Sequence, residues 1–182
     1  ELAPDIAEFA FNAAEGTVNT TMIKATYGTD AQVYRMVMDT TTVTMARLSI
    51  KKQTRNLTTA SAFGAISRGK PGETIEYKVA FQNLGTREVT DIVLSDPVPP
   101  FSDLVTGAYS SGGTDYALHF YFYFADSTVE YFSNSSSIHS PVFIDLNSLC
   151  ASAPLSTRFA DGVFRLQAGE RGELFYQVTI KD

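Results

Sequence analysis

Apolar and polar residues alternate with a period of two along most of this chain, a rhythm that predicts β-strands. The clearest stretch follows the turn signal Pro71-Gly72: Ile75, Tyr77, Val79 and Phe81 alternate with Thr74, Glu76, Lys78 and Ala80. Asn83-Leu84-Gly85 ends it, because Asn and Gly tolerate left-handed backbone. Val89, Ile92 and Leu94 then mark a second strand that stops at Asp96-Pro97, so a hairpin is expected. A lone hairpin is barely stable in water, which places this one in a larger sheet.

The same rhythm recurs on both sides. Residues 17–45 read as two or three strands separated by Gly28-Thr29-Asp30 and by Asp39-Thr40, and Leu48, Ile50 and Lys52 open another. Residues 53–69 read as a loop, with room for a short strand at 62–66. An aromatic segment sets Tyr116, Leu118, Phe120, Phe122 and Phe124 against His119, Tyr121 and Tyr123, and residues 129–132 return from a turn at 125–128. That hairpin is apolar on both faces, so one face is expected in the core. The other, with Tyr121, Tyr123 and Phe132, needs a cover from this chain or from a partner. Short strands follow at 142–144 and 163–166. After the turn Ala168-Gly169-Glu170, Leu174, Tyr176, Val178 and Ile180 alternate again. Only residues 1–15 leave helix and strand both open. The fold class is all-β.

The runs PGETIEYKVAFQNLG, VTDIVLSDPVP and LQAGERGELFYQVTI resemble the conserved-repeat domain of bacterial and archaeal surface proteins, over residues 48–105 and 160–182. The resemblance implies an immunoglobulin-like β-sandwich and no catalytic residues. In tandem arrays of that family, the strand resembling LFYQVTI is followed by a pattern like GTVxNTAxVxY that completes the domain. Here a similar pattern, Gly16-Thr17-Val18-Asn19-Thr20-Thr21, stands at the other end of the chain.

That order implies an N-terminal extension of donor strands, 1–45, ahead of a sandwich domain, 46–182, with an aromatic hairpin insertion around 114–160. The extension would complete a neighbouring copy by β-strand addition, and repeated head-to-tail contacts build an open filament. Val18, Met22, Ile23, Ala25, Tyr27, Val33, Val37 and Val43 are the expected donor positions. Leu174, Tyr176, Val178, Tyr121 and Tyr123 are the expected acceptor positions. The function expected is a structural subunit of an extracellular or cell-surface, pilus-like filament, a homopolymer. The competing readings are extension strands folded back onto their own domain, and a monomeric adhesin or carbohydrate- or protein-binding module.

Composition narrows the function classes. At 182 residues the chain buries a real core. Its net charge of −6, with acids and bases interspersed, argues against nucleic acid. The densest basic group, Arg47, Lys51, Lys52 and Arg55, is expected to be a solvated strand face. No apolar run reaches the span of a membrane helix. The first residue is Glu1, which suggests removal of a secretion signal. The single cysteine, Cys150, is expected to be a buried apolar side chain.

Candidate chemistry is sparse. Asn19, Asn56 and Asn134 begin glycosylation sequons. His119 and His139 are expected to be packing and solvated residues. Asp91, Asp96, Asp103 and Asp115 lack calcium-loop spacing. No nucleophile–base constellation, cofactor motif or metal motif appears, so neither enzyme activity nor a cofactor is expected. Lys51 or Lys52 on the first domain strand, Asn19 on the extension and a nearby acid supply the groups for an intersubunit isopeptide, as in some surface sandwiches.

Overall fold

The computed structural model describes residues 18–27, 30–42, 44–134 and 142–182. In chain order the strands are β1 (Val18–Tyr27), β2 (Asp30–Thr42), β3 (Leu48–Asn56), β4 (Thr74–Asn83), β5 (Val93–Asp96) and β6 (Ser102–Leu104). Then come β7 (Tyr109–Ser111), β8 (Thr114–Tyr116), β9 (Leu118–Tyr123), β10 (Thr128–Ser133) and β11 (Val142–Asp145). Single-turn helices α1 (Leu146–Leu149) and α2 (Leu155–Arg158) precede β12 (Arg171–Ile180). The protein is all-β, as the alternation predicts.

One antiparallel sheet dominates, in the order β10-β9-β12-β4-β3, with β6 beside β12 beyond the end of β9. Its register gathers alternate residues onto one inner face: Ile75, Val79 and Phe81 of β4, Leu174, Tyr176 and Val178 of β12, Leu118, Phe120 and Phe122 of β9. All are buried, and each fully buried side chain of this size contributes about 1.5–3 kcal/mol. Gly172 stands opposite both Phe81 and Phe122. A side chain there would strike the Phe81 ring, so glycine makes room for two rings packed edge to face at 6.4 Å.

Over this face lies a thinner layer made of the β5–β11 pair, the two helices and residues 159–166. Leu94, Ile144, Leu146, Leu155 and Phe164 join the same core, with the Phe164 ring 5.1 Å from that of Phe122. Asp145 caps α1 by accepting the Asn147 N–H, which points Leu146 and Leu149 inward. The architecture is sandwich-like, with one wide sheet and one narrow one.

Several expectations are corrected. β4 and β5 are not a hairpin, because β5 pairs with β11 in the second layer. The connection crosses between layers on a scaffold built by Asn83, which is fully buried. Its amide donates to the Arg87 and Leu166 carbonyls at 2.7 and 2.9 Å, and its Oδ1 accepts the Gly85 N–H at 2.9 Å. Gly85 passes so close to the Met45 carbonyl that no side chain fits. The strand expected at 163–166 shrinks to one bridge between Leu166 and Val89. β3 runs on to Asn56, and of the 62–66 stretch only Gly64 pairs, bridging Thr54. β9 and β10 form the expected hairpin. It is part of the wide sheet, with β9 held against β12, rather than an insertion.

β1 and β2 form a ribbon of their own, with Met22 opposite Met38 and Ile23 opposite Val37. β2 runs unbroken through Asp39-Thr40, so there are two strands here. Neither strand enters a ladder with the rest of the chain, and each keeps one unpaired edge among the described residues. The ambiguous segment 1–15, Val43 and His139 lie outside the described residues.

Candidate interaction site

The expected acceptor positions on β12 are not available to a partner. Leu174, Tyr176 and Val178 are 1%, 0% and 1% exposed, and β12 is paired on both sides, by β4 and by β9 with β6. Alternation located a buried face correctly but could not say that this strand would be central.

Tyr121 and Tyr123 lie on the outer face of the wide sheet and are half-buried. Around them the chain supplies part of its own cover. Tyr109 of β7 packs 5.3 Å from His119, Tyr116 of β8 packs 5.6 Å from Phe132, and Phe63 packs 6.1 Å from Phe175. His119 stacks on Phe132 at 4.3 Å and pairs with Glu130 at 2.8 Å. Arg171 sits 4.1 Å from the Tyr123 ring centre. Beneath this cover is a carboxylate that the sequence did not single out. Glu76 is 3% exposed and accepts from Arg55 Nε at 2.7 Å, Tyr109 Oη at 3.0 Å and Gln177 Nε2 at 3.1 Å. In the alternation it reads like any solvent-facing polar residue. Burial, then the Glu76 charge and hydrogen bond, pushes the Tyr109 hydroxyl far above its ordinary pKa.

The β3 flank of the inner face is different. Register places Ile50 opposite Phe81, Lys52 opposite Val79 and Thr54 opposite Tyr77, all inner-face positions. Yet Ile50 is 59% exposed, because the narrow second layer does not extend over it. At the opposite end of the same face, a groove of about 220 Å³ opens to solvent between Ile75, Tyr77, Val178 and Ile180 and the residues Pro99 and Phe101 that follow β5. Phe101 is 79% exposed. Ile75 and Val178 at its floor are buried, so Ile50 and Phe101 are the exposed apolar side chains of these two places.

A polar cluster bridges the two layers at this seam. Asp96 of β5 accepts from Tyr176 Oη on β12 at 2.7 Å and pairs with Lys52 Nζ on β3 at 2.6 Å. Tyr77 and Tyr176 stack at 5.0 Å, and Lys52 Nζ lies 4.4 Å from the Tyr77 ring centre. Burial first, then the bond to Asp96, drives the Tyr176 hydroxyl far upward, so it stays protonated and donates. Of the basic group expected to be solvated, Lys52 and Arg55 are thus ion-paired on opposite faces of β3. Lys51, opposite Ala80, is exposed on the outer side.

The remaining candidates resolve individually. Val18 is 57% exposed. Met22, Ile23, Ala25 and Tyr27 occupy β1, and Val33 and Val37 occupy β2. Asn19 lies in β1 opposite Thr41. Asn56, a candidate glycosylation site, is 2% exposed, and its amide donates to the Arg68 carbonyl and to Glu73 at 3.0 and 2.8 Å. It has no room for a glycan. Asn134 is exposed, with its amide held by Ala117 N–H and the Asp115 carbonyl. Cys150 is 1% exposed, and burial pushes its thiol up, as for an inert packing residue. Asp91, Asp96 and Asp103 have separate partners in Asn147, Lys52 and Lys181. Among the described residues no group of three or more His, Cys, Asp and Glu is arranged to hold a metal, and no helix is long and apolar enough to cross a membrane. Compared with known proteins, the chain matches no protein-family model, no curated protein and no solved structure.

Proposed function

We propose that this chain is the structural subunit of an extracellular, pilus-like filament, a homopolymer assembled head to tail by donor-strand complementation. In this reading the domain is an immunoglobulin-like sandwich whose narrow sheet is completed by the β1–β2 ribbon of a neighbouring copy, added along β5. The observation that carries it is Ile50, an inner-face position of β3 that stands 59% exposed because the second layer does not cover it.

Two further features support it. Among the described residues the ribbon pairs only with itself, and an isolated two-stranded hairpin is marginal in water. β5 is the second-layer strand that reaches toward this flank, through Asp96 to Lys52, and one of its edges is free among the described residues. Strand addition there satisfies backbone groups on both partners and covers apolar surface. At about 3.3 Å per residue, a strand the length of β2 runs roughly 40 Å, ample to span such a domain. The outer aromatic face is covered in part, Tyr109, Tyr116 and Phe63 packing on His119, Phe132 and Phe175, which narrows a binding-module surface to the half-buried Tyr121 and Tyr123.

Removal of residues 1–45 tests the reading. Negative-stain microscopy is expected to show fibres of the full chain and none of the truncated one. A full chain that remains a well-folded monomer at high concentration would refute the proposal.

A further inference from the structure

We infer that residues 1–15 of one copy plug the groove beside Phe101 of the next copy, with Phe9 as the side chain that enters it. This rests on the filament reading above and deepens it, since a donated ribbon alone leaves both that groove and that segment without a role. Ile75, Val178 and Ile180 of the wide sheet line the groove, with Phe101 from the segment after β5 and Ser67 and Gly69 from the loop before β4. Phe101 and Ile66, the residue before Ser67, are 79% and 82% exposed, the two highest values for large apolar side chains among the described residues. Two such side chains beside one apolar groove mark a docking surface. A cavity of about 150 Å³ holds a benzene ring, so the groove, at about 220 Å³, accepts one aromatic side chain.

Charge and position select the occupant. Residues 1–15 carry Glu1, Asp5, Glu8 and Glu15 and no lysine or arginine. Arg68 and Lys70, both exposed, stand on either side of the groove residue Gly69, so an acidic segment is drawn to this rim. Lys181 and Asp103 cancel as an ion pair at 2.8 Å, and Glu73 is held by the Asn56 amide and the Lys70 N–H. Phe9 falls on the apolar side of the segment whether it is read as helix, with Ile6, Ala10 and Ala13, or as strand, with Ala7 and Phe11. Chain connectivity brings it to the right end. Val18 pairs with Thr42, three residues before Met45, so the segment leaves the ribbon at its root, close to the start of β3. β3 and β4 run from Leu48 opposite Asn83 to Asn56 opposite Ile75. That sets the groove at the other end of the domain, roughly 25 Å away at about 3.3 Å per residue. When copies stack head to tail, the root of one ribbon meets the groove end of the next, and residues 1–15 are brought within reach of it.

The test keeps the full chain and places a diazirine-bearing phenylalanine at position 9. Fibres grown from a mixture of isotope-labelled and unlabelled chains are irradiated and digested, and the joined peptides are identified by mass. The expected products join residue 9 to the stretch 66–70 or 99–102 and include pairs of one labelled and one unlabelled peptide, which only contact between copies can give. Phe9→Asp and Phe101→Asp provide a second readout. Phe101→Asp, at an exposed position, leaves monomer unfolding unchanged. Each variant is expected to raise the lowest protein concentration that yields fibres by about tenfold or more, with little further rise when the two are combined. Products that join residue 9 to other parts of the domain, or that join only peptides of like label, overturn the plug. So does Phe9→Asp assembling as readily as the natural chain. In each of these cases fibres of the natural chain leave the filament reading standing. If the full chain makes no fibres, both readings fall together.

Discussion

The inner face of the wide sheet meets two different fates. Toward β9, Phe120, Phe122 and Phe164 are 0% exposed beneath the helices and residues 159–166. Toward β3, Ile50 stands 59% exposed at an inner-face position opposite the buried Phe81. The two flanks belong to one sheet and follow one alternating pattern. What differs is the layer above, and the difference teaches that an inward-pointing residue is buried only if something is built to lie on it.

The contrast can be broken at its strongest point first. Phe122→Ala empties the sealed flank and is expected to cost about 3–5 kcal/mol, read as a lowered midpoint of thermal or denaturant unfolding. A change below about 1 kcal/mol would mean that this flank is not the tight core described.

Alkali probes how dry the structure is at the seam and under the outer cover. Tyr176 and Tyr109 both have raised pKa values in the fold, whereas unfolded tyrosine ionises near 10.0. Their contribution is therefore complete below pH 10 and is lost as the pH rises above it, by about 1.4 kcal/mol per tyrosine per pH unit. Tyrosinate absorbance from these two is expected to appear together with the loss of circular dichroism. Its appearance near pH 10 in a still-folded chain would show that water reaches them.

The smallest effect on stability is expected from Ile50→Asp. On a bare flank it shifts monomer unfolding by less than about 0.5 kcal/mol, yet it places a charge where the donated ribbon would pack. Microscopy should then show no fibres. A large loss of monomer stability would mean that Ile50 is already covered.

Much of the wide sheet was legible from sequence, because Leu118–Tyr123 and Arg171–Ile180 bury alternate residues and Thr74–Asn83 does so except at buried Glu76 and half-buried Tyr77. Pairing was less legible. Ile92 and Leu94 alternate identically whether their partner is β4 or β11, and only the Asn83 clamp with the close approach of Gly85 to Met45 sends the chain across to the other layer. The helices escaped notice because one turn, Leu146–Leu149, is too short to show a helical period. The candidate site was half legible. Lys52 was in view, but Asp96 lies 44 residues away and reads alone as a strand-ending Asp-Pro.

β12 comes last among the described strands, yet it occupies the middle of the wide sheet. Before Arg171 is added, the strands of the wide sheet form two separate pairs, β3 with β4 and β9 with β10, with no ladder between them. The ladder from Thr74–Asn83 to Arg171–Ile180 closes a very long loop, and such non-local pairing slows folding. The wide sheet is thus expected to stay open until β12 has been made, then to close as a unit.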